Sequence, residues 1–408
     1  MTKPEIRLKG FNGEWGKRKV GELSDILTGY PFEGSSIKKE GIYLLMRGIN
    51  ITEGYIRQSD DIDRYYDGDV NSLNKYVVRT NDLVIGMDGS KVGKNSALVT
   101  ERENGSLLVQ RVARLRNDDI DVNRIIQIAL RSSRFIQYVE ENKTSSAIPH
   151  ISPSDIFNFE LSISDNKDER KAIADYFGSL DSMILATTNK IASLKQMKSA
   201  SLISMFPQAG ETNPRVRFKG FEKDWEDVSF KDISYLAGTK NRDNLPLESY
   251  SISNEFGFIP QDEQFENGGT MTNADKRMYY IVTPDSFAYN PARINVGSIG
   301  YDDLDKDVIV SSLYVVFKTD VDTYNPFLNY WFKTPMFRKM IELYQEGGVR
   351  LYFFYDKLCN CHFRRPSLPE QKKIASYFIS LDKQISLQEQ RLEKLKQIKA
   401  ACLDKMFV

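Results

Sequence analysis

The sequence is poor in the features that mark secreted and membrane-bound proteins. It holds only three cysteines in 408 residues, which is too few for a disulfide framework and fits a reducing compartment. No run of about eighteen apolar residues occurs, so a membrane span is not expected. The opening "MTKPEIRLKG" also lacks the apolar segment of a signal peptide. We therefore expect a soluble protein of the cytoplasm.

An excess of charge of one sign is missing too, and histidine is rare. Lys plus Arg and Asp plus Glu both number 56, so the net charge gives no simple signal of binding to a polyanion. A neutral total can still hide a basic face opposite an acidic one. The presence of only two histidines disfavours a hydrolase that depends on histidine.

The residues that are present suffice for more than one packed core. Apolar residues make up 41% and aromatic residues 12% of the chain, which is typical of globular domains rather than disordered segments. A length of 408 residues exceeds the usual size of a single domain. We expect at least two domains.

The clearest signal is a duplicated helix. Residues 169–206 and 370–407 are identical at 18 of 38 aligned positions, counted directly along the two segments. They begin with "ERKAIADYFGSLD" and "EQKKIASYFISLD" and end with "LKQMKSASLISMF" and "LKQIKAACLDKMF". Since even residues on the polar face recur, the likeness indicates duplication rather than shared helix composition.

A second duplicated block opens each half of the chain. Residues 7–23 and 217–233 share an Arg, a Lys-Gly-Phe triplet and a Trp, and the helix-like stretch 123–142 corresponds to 325–344. The sequence therefore predicts an α+β protein in which two variable domains alternate with two preserved helices. The predicted boundaries are 1–164 and 209–366 for the domains, and 165–208 and 367–408 for the helices.

The preserved helices carry the apolar stripe of a coiled coil. Apolar residues recur at steps of three and four over about thirty positions. These residues are Ile173, Phe177, Leu180, Ile184, Ile191 and Leu194 in the first helix, and Ile374, Phe378, Leu381, Ile385, Leu392 and Leu395 in the second. Antiparallel pairing of the two helices about a twofold axis would bury both stripes. The alternative is that each helix lies on its own domain.

Pairing of this kind has two consequences. The carboxyl end of the second helix should lie against the amino-terminal domain, as in a closed pseudo-dimer. Each helix should also span about 50–57 Å at about 1.5 Å per residue, which is roughly fifteen base pairs of DNA. Two domains of one architecture but different sequence, held at such a distance, suit the reading of two short sequences on one duplex.

With these features the chain resembles the DNA-sequence-specificity subunit of Type I restriction–modification systems, over essentially its whole length. Besides the preserved helices and the "FKGF" and "LKGF" openings, four segments resemble motifs of that family's target-recognition domains. They are "DLVIGMDGSKVGKNSALV" (82–99), "LLVQRVARL" (107–115), "FAYNPARINVGSIGY" (287–301) and "VSSLYVVFK" (310–318). The resemblance implies a non-catalytic subunit whose domains each read one half of a bipartite, asymmetric site in double-stranded DNA.

The resemblance also implies partners. Two methyltransferase subunits would dock on the helices and domains, the helices would set the spacing of the two half-sites, and two ATP-driven translocase/endonuclease subunits would join the full complex. We expect Lys and Arg at phosphates and a few polar side chains at base edges. The candidates are Arg47, Lys91, Lys94, Asn95, Gln110, Arg111, Lys143, Thr144 and Ser145 in the first domain, and Lys276, Arg277, Asn290, Arg293, Ser298, Ser311, Ser312, Tyr314 and Arg350 in the second. For Asn290 and Arg293 the alternative is that they only stabilise a turn.

Three motifs that would indicate other chemistry are incomplete. A phosphate-binding loop around Lys94 would need Gly at 88 and Ser or Thr at 95, where Asp88 and Asn95 stand. The "YNPAR" segment lacks the second proline and the aromatic residue of an amino-methyltransferase motif. The C-x-C-H segment at 359–362 has no fourth ligand nearby for a closed zinc site. We expect no catalytic residue, no cofactor and no metal; the alternative function is a coiled-coil adaptor that joins two protein-binding domains.

Overall fold

The computed structural model describes residues 3–89, 91–144, 149–254, 257–264 and 275–407. The chain divides into two compact units. The first unit consists of Met1–Thr188 and Gln390–Val408, and the second consists of Asn189–Glu389.

The first unit mixes short strands with helices. Its elements in chain order are β1 (Gly16–Lys19), α1 (Val20–Leu23), β2 (Asp25–Thr28), β3 (Tyr43–Met46), β4 (Tyr65–Tyr66), β5 (Leu83–Gly86), β6 (Ser96–Leu98), β7 (Leu107–Leu108), β8 (Val112–Arg116), α2 (Ile120–Ala129), α3 (Ser133–Asn142), α4 (Pro153–Asn158), β9 (Glu160–Ile163) and α5 (Lys167–Ser204). Helix α5 begins in the first unit and ends in the second.

The second unit has a similar succession of elements. They are β10 (Glu226–Ser229), α6 (Phe230–Ile233), β11 (Ser234–Leu236), β12 (Thr239–Lys240), β13 (Ser249–Ser253), β14 (Gly257–Pro260), α7 (Gln261–Gln264), β15 (Tyr280–Val282), β16 (Phe287–Tyr289), β17 (Ile299–Tyr301), β18 (Val308–Val310), β19 (Val315–Thr319), α8 (Asn325–Trp331), α9 (Pro335–Tyr344), α10 (Tyr355–Cys359), β20 (His362–Arg365) and α11 (Leu368–Met406). Helix α11 begins in the second unit and ends in the first.

Each unit contains a four-stranded antiparallel sheet with the same arrangement of strands. The order is β2–β8–β5–β6 in the first unit and β11–β19–β16–β17 in the second. Strands β5 and β16 are apolar and buried along their whole length, because helices pack on one side of each sheet and a second sheet lies beside it. The mixed helix and strand content expected from the sequence is confirmed.

The second sheet of each unit differs in size but shares one pairing. It has the order β4–β3–β7 in the first unit and β12–β15–β18–β13–β14 in the second. Strand β7 pairs in parallel with β3, and β18 pairs in parallel with β13. A two-stranded antiparallel ribbon, β1–β9 or β10–β20, pairs the first strand of each domain with its last.

The two helix-like stretches at 123–142 and 325–344 are each broken into two helices. In the first unit the chain turns after α2, and the Ser132 hydroxyl accepts a hydrogen bond from the Phe135 amide (3.3 Å) at the start of α3. In the second unit Thr334 caps α9 in the same way (3.4 Å to the Phe337 amide), and Pro335 follows at the first helical position. Each helix-like stretch of the sequence is therefore helical but forms a pair of helices, broken at the same place in both units.

The end of each long helix packs against the opening block of a domain. In the first unit the Ile6 amide donates to the Lys405 carbonyl (3.2 Å), and the rings of Trp15 and Phe407 lie 6.1 Å apart. This is the contact that the sequence predicts between the second long helix and the amino-terminal domain. In the second unit the Val216 amide donates to the Ser204 carbonyl (2.9 Å), and Trp225 lies 6.4 Å from Phe206.

Within each unit the two long helices run antiparallel. In the first unit the Lys399 ammonium group contacts Asp181, and Tyr176 Oη lies 3.6 Å from Cys402 Sγ. The residue number therefore falls along α11 as it rises along α5. In the second unit Lys198 contacts Asp382, and the hydroxyls of Ser201 and Tyr377 lie 2.9 Å apart.

Most residues of the predicted apolar stripe are buried. Nine of the twelve are fully buried, while Ile184, Leu392 and Leu395 are half-buried. The stripe does more than join the helices, because Ile173 and Phe177 also belong to the apolar core of the first unit. Ile374 and Phe378 are part of the core of the second unit in the same way.

Within the described part of the chain, none of the helices combines the length and the apolar character that crossing a membrane requires.

Candidate nucleic-acid interface

Five of the nine DNA-binding candidates of the first domain meet in one surface cleft. The end of β3, the β5–β6 loop and the β7–β8 turn form its walls, and the five residues are Arg47, Lys91, Asn95, Gln110 and Arg111. Three of them are cationic, and among the described residues that line the cleft Asp88 is the one with a carboxylate. A second carboxylate, that of Glu53, lies at the rim beside Lys91. A cleft with this excess of positive charge suits a polyanion.

The β7–β8 turn projects two of these side chains outward. The Val112 amide donates to the Val109 carbonyl (3.2 Å), which leaves Gln110 and Arg111 exposed at the tip. Arg111 has φ 67°, a left-handed conformation in which Gly or Asn is usual. The Arg111 guanidinium lies 3.3 Å from the Asp88 carboxylate. This ion pair is exposed and therefore weak, so a ligand can compete for Arg111.

Two further cations of the cleft, Lys91 and Arg47, also form ion pairs or hydrogen bonds within the protein. Lys91 Nζ lies 3.2 Å from a Glu53 carboxylate oxygen on the surface. Arg47 is half-buried and donates to the Ile62 carbonyl (3.2 Å). Because the Lys91 pair is exposed, phosphates can replace Glu53 at low cost.

The loop that follows α3 borders the same region. The Thr144 amide donates to the His150 carbonyl (2.9 Å), and the Thr144 hydroxyl accepts from the His150 amide (3.1 Å). The Gly89 amide donates to the Pro149 carbonyl (3.1 Å). Lys143 is half-buried and paired with Glu140 (2.6 Å). Ser145 lies outside the described residues.

Lys94 is not part of the cleft. It lines a separate groove with Arg131 and with Lys396 and Lys399 of α11. A contact between Lys94 and DNA would therefore belong to a different surface from that of the other candidates of this domain.

In the second domain, three candidates belong to a turn between β18 and β19. The Ser311 carbonyl accepts a hydrogen bond from the Tyr314 amide (3.1 Å), and its hydroxyl accepts one from the Leu313 amide (3.3 Å). Ser312 is exposed at the tip, and Tyr314 is half-buried. Ser311 shapes this turn, whereas Ser312 is free to face a ligand.

Leu313 is a residue that the sequence reasoning missed. It stands at the tip of this turn with 75% of its surface exposed, although it is apolar. Pairing "LLVQRVARL" with "VSSLYVVFK" through the offset of 202 that relates Phe135 to Phe337 would have placed it opposite Arg111.

Lys276 and Arg277 lie beside this turn. They form a short 3-10 turn whose Arg277 amide donates to Asp275 (3.0 Å), just before β15. Tyr280 of β15 stands opposite Val310 of β18, the residue that precedes Ser311. The two cations therefore precede β15 at the end of the β15–β18 pair from which the turn with Ser312 and Leu313 begins.

The other candidates of this domain have mixed surroundings. Asn290 accepts from the Ala292 amide (3.0 Å), and Ser298 is buried and donates to the Ile252 carbonyl (2.8 Å), so both stabilise the loop between β16 and β17. Arg293 is exposed on the same loop. Arg350 is exposed in a turn closed by two hydrogen bonds between Glu346 and Tyr352 (2.9 and 2.8 Å). The Ser298 side chain does not reach the surface, unlike those of the two arginines.

The cysteine segment has the environment of structural residues. Cys361 is buried, and burial raises the pKa of its thiol to about 12, so the thiol is protonated at neutral pH. Among the described residues, no group of three or more His, Cys, Asp or Glu side chains is arranged to hold a metal ion.

Comparison with known proteins agrees with the resemblance found in the sequence. Residues 12–196 match the family described as "Type I restriction modification DNA specificity domain". The chain is also 30% identical, over 141 residues, to the Type I restriction enzyme EcoAI specificity subunit of Escherichia coli. That match covers 34% of this chain and only 23% of the length of the E. coli subunit. The resemblance to the Type I specificity subunits is thereby confirmed.

Two solved structures share the fold over nearly the whole chain. The crystal structure of a Type I restriction–modification S subunit from M. genitalium aligns with a TM-score of 0.61 and 17% identity, covering 100% of this chain and 99% of that one. A chain from a structure titled "Structural basis underlying complex assembly and conformational transition of the type I R-M system" aligns with a TM-score of 0.54 and 14% identity, covering 97% and 98%. At these identities the likeness concerns the fold alone.

Proposed function

We propose that this chain is the DNA-sequence-specificity subunit of a Type I restriction–modification complex. It is a non-catalytic protein that binds double-stranded DNA and directs a methyltransferase subunit to a defined sequence. The observation that carries the proposal is the match of residues 12–196 to a DNA specificity domain. The fold that the whole chain shares with a specificity subunit extends it to the second half.

The two units read different half-sites of one bipartite site. This proposal is supported by their common framework, since each has the same four-stranded sheet and the same parallel strand pair. The loops at the ends of these strands differ in sequence, with Gln110–Arg111 in one unit where Ser312–Leu313 stand in the other. A common framework with different loops is the arrangement expected of two readers with different targets.

The two long helices form an antiparallel coiled-coil spacer in a chain with a pseudo-twofold internal repeat. The proposal rests on contacts that recur at equivalent positions, such as Asp181 with Lys399 and Asp382 with Lys198. Helix α5 has 38 residues and α11 has 39, which corresponds to about 57 Å each. We assign residues 1–164 and 209–366 to the recognition domains, and residues 165–208 and 367–408 to the spacer helices.

The partners proposed are double-stranded DNA and two methyltransferase subunits, with ATP-dependent translocase/endonuclease subunits in the full complex. The methyltransferase subunits dock on the spacer helices and the domains. The chain itself supplies no catalytic group, cofactor or metal.

The test is to express the full chain with its methyltransferase subunit in a host without other DNA methylation and to map the methylated bases. We expect methylation only when both proteins are present, at one bipartite sequence with a spacer of unspecified bases. Each protein expressed alone is the control. Methylation by the methyltransferase alone at the same sites, or by this chain alone, would overturn the proposal.

Binding of the purified full chain to random DNA tests the alternative of a protein-binding adaptor. A specificity subunit enriches one sequence, and its affinity falls steeply with salt because bound phosphates release counterions. An adaptor enriches no sequence, and this result would contradict the proposed function.

A further inference from the structure

One turn occurs in the same place in both units. Val109–Val112 leads from β7 into β8, and Ser311–Tyr314 leads from β18 into β19. In each turn the amide of the fourth residue donates to the carbonyl of the first, at 3.2 Å and 3.1 Å respectively. The strand before each turn belongs to the parallel pair, and the strand after it lies inside the four-stranded sheet.

The side chains at the two tips differ completely in chemistry. The first turn exposes Gln110 and Arg111, and the second exposes Ser312 and Leu313. The two turns thus share their place and their closing hydrogen bond, while the guanidinium group of Arg111, at φ 67°, is replaced by the isobutyl group of Leu313, whose φ is not positive. The difference at the two tips does not serve packing, since neither Arg111 nor Leu313 belongs to an apolar core of its unit.

We propose that these two turns are the base-reading elements of the two units, and that their tips determine one base pair in each half-site. Arg111 recognises a guanine through its O6 and N7 atoms, and Leu313 packs against the methyl group of a thymine, both in the major groove. The inference rests on the proposed function and specifies how the two recognition domains choose different sequences.

The surroundings of Arg111 favour a base over a phosphate. Its guanidinium is oriented by Asp88 (3.3 Å), and the Asp88 side chain is less exposed than that of Glu53 beside Lys91 (26% against 52%), so a phosphate displaces Asp88 less readily than Glu53. Arg47 and Lys91, in the same cleft, provide charges for the phosphates. An arginine with two free N–H groups matches the two acceptors of guanine, which is the commonest specific contact in the major groove.

The backbone of Arg111 supports the same role. A non-glycine residue with φ 67° costs free energy that Gly would avoid, and such conformations are concentrated at functional sites. The strain is held by the surrounding hydrogen bonds, since the Arg111 carbonyl accepts from the Met87 amide (3.0 Å) and the Gln110 amide donates to the Tyr30 carbonyl (2.9 Å).

The surroundings of Leu313 indicate an apolar contact on the same ligand. Three quarters of its surface is exposed, and Lys276 and Arg277 lie at the same end of the β15–β18 strand pair as the turn. Cations beside an exposed leucine fit DNA, whose phosphates bind the cations while the thymine methyl group offers an apolar surface in the major groove.

The experiment is selection of bound sequences from random double-stranded DNA by the full chain and its variants, followed by sequencing. Arg111→Gly removes the guanidinium and suits the left-handed backbone, while Arg111→Lys keeps the charge but not the two-pronged contact. Leu313→Ala removes the apolar contact in the other unit. The controls are Arg102→Gly and Val321→Ala, which alter an exposed arginine and an exposed valine in turns elsewhere on the two units.

We expect both Arg111 variants to lose preference for guanine at one position of one half-site, by about tenfold or more. Leu313→Ala should relax a thymine at one position of the other half-site severalfold, and the controls should leave the selected sequence unchanged. Equal weakening on all sequences, with Arg111→Lys behaving like the wild type, would identify Arg111 as a phosphate contact and overturn the inference. So would a selected sequence that none of the three variants changes.

Failure of the inference is distinguishable from failure of the proposed function. If the wild-type chain selects a bipartite sequence that the turn variants leave intact, only the inference is wrong. If the wild-type chain selects no sequence, the proposed function falls and the inference falls with it.

Discussion

The guanidinium group of Arg7 forms two hydrogen bonds with the carboxylate of Glu169, at 2.6 Å from Nε to Oε1 and 2.8 Å from Nη2 to Oε2. Arg217 and Glu370 form the same pair in the second unit, again at 2.6 and 2.8 Å. Each glutamate lies in the first turn of a long helix, where the helix dipole favours a negative charge. The two duplicated sequence blocks are thus the parts of each unit that bind each other.

We expect Glu169→Gln to lower the free energy of unfolding of the first unit by about 3 kcal/mol. The substitution leaves Arg7, only 13% of whose side chain is exposed, without its charged partner. The measurement is hydrogen exchange of the full chain at increasing urea concentrations, which gives the free energy of unfolding of each unit separately. Glu160→Gln is the matched control, because its pair with Lys17 (3.8 Å) is half exposed and contributes at most about 1 kcal/mol. Equal effects of the two substitutions would refute the role of the Arg7 pair.

The same pair should make stability depend on pH. Burial acts to raise the pKa of Glu169, but hydrogen bonds from Arg7 and Ser164 outweigh it and hold the pKa below its ordinary value of 4.5. A carboxyl group with a lowered pKa in the folded state stabilises the protein above its ordinary pKa, and this stability is lost as pH falls through the lowered value. The difference between wild type and Glu169→Gln should therefore shrink below about pH 4.5.

How far the sequence predicts this structure depends on the kind of signal. The helices were predicted from an apolar stripe that local periodicity records, and nine of its twelve residues are buried. The break before Phe135 was missed because Ser132 acts as a cap only when the chain turns there, which the apolar pattern does not encode. The convergence of Arg47, Lys91 and Arg111 depends on pairing between distant strands, so sequence reasoning named the residues without their arrangement. Leu313 was not among the candidates because an apolar residue is expected in the core, and only the structure shows that it is exposed.

Asp302 provides a test of burial in the second unit. It is fully buried, and among the described residues neither its Oδ2 atom nor the neighbouring Ser286 hydroxyl has a hydrogen-bond partner. Burial raises the pKa of Asp302 to about 6, although a hydrogen bond from the Leu304 amide opposes the shift. Because the folded state holds the proton more tightly than the unfolded state, stability falls as pH rises from about 4 to 6 and stays lower above that.

Asp302→Asn removes the charge and should therefore stabilise the second unit at pH 7–8, by up to about 3 kcal/mol. Thermal unfolding between pH 4 and 8 measures the effect, which should vanish near pH 4, where the wild-type carboxyl is protonated. Asp305→Asn, a change at an exposed position nearby, is the control and should give no comparable gain. A gain that is independent of pH would mean that the buried charge is not its cause.

Exchange of a domain should change one half of the recognised sequence. Replacing residues 17–160 with the matching region of a relative removes the cleft of the first unit but keeps Trp15 and Glu169. We expect a new half-site on one side of the spacer and the original half-site on the other, measured by sequencing the methylated sites. Exchange of residues 227–362 is the reciprocal control and should change the opposite half-site. A single exchange that alters both half-sites would exclude two independent readers.

The long helices can be tested as a spacer by insertions after Gln388. Four extra residues lengthen α11 by about 6 Å and rotate the rest of the helix by about 400°, close to one full turn, so the stripe can absorb them by local unwinding. Two extra residues rotate the rest of the helix by about 200° and turn Leu392 and Leu395 away from their present contacts. The same rotation would separate Lys399 from Asp181, because α5 carries no matching insertion.

We therefore expect the chain with four extra residues to fold, to bind the methyltransferase subunit and to recognise the same half-sites with a longer spacer. The chain with two extra residues should lose a few kcal/mol of stability from the exposed leucines and assemble poorly. Complex formation measured by size-exclusion chromatography and sequencing of the methylated sites distinguish the two variants. Equal tolerance of both insertions would mean that α5 and α11 are not paired along this stripe. If the helix pair fixes the distance between the half-sites, it must act as a rigid rod, and a longer α11 must lengthen the DNA between them. Four extra residues that leave this DNA length unchanged would mean that the partner subunits fix the separation instead.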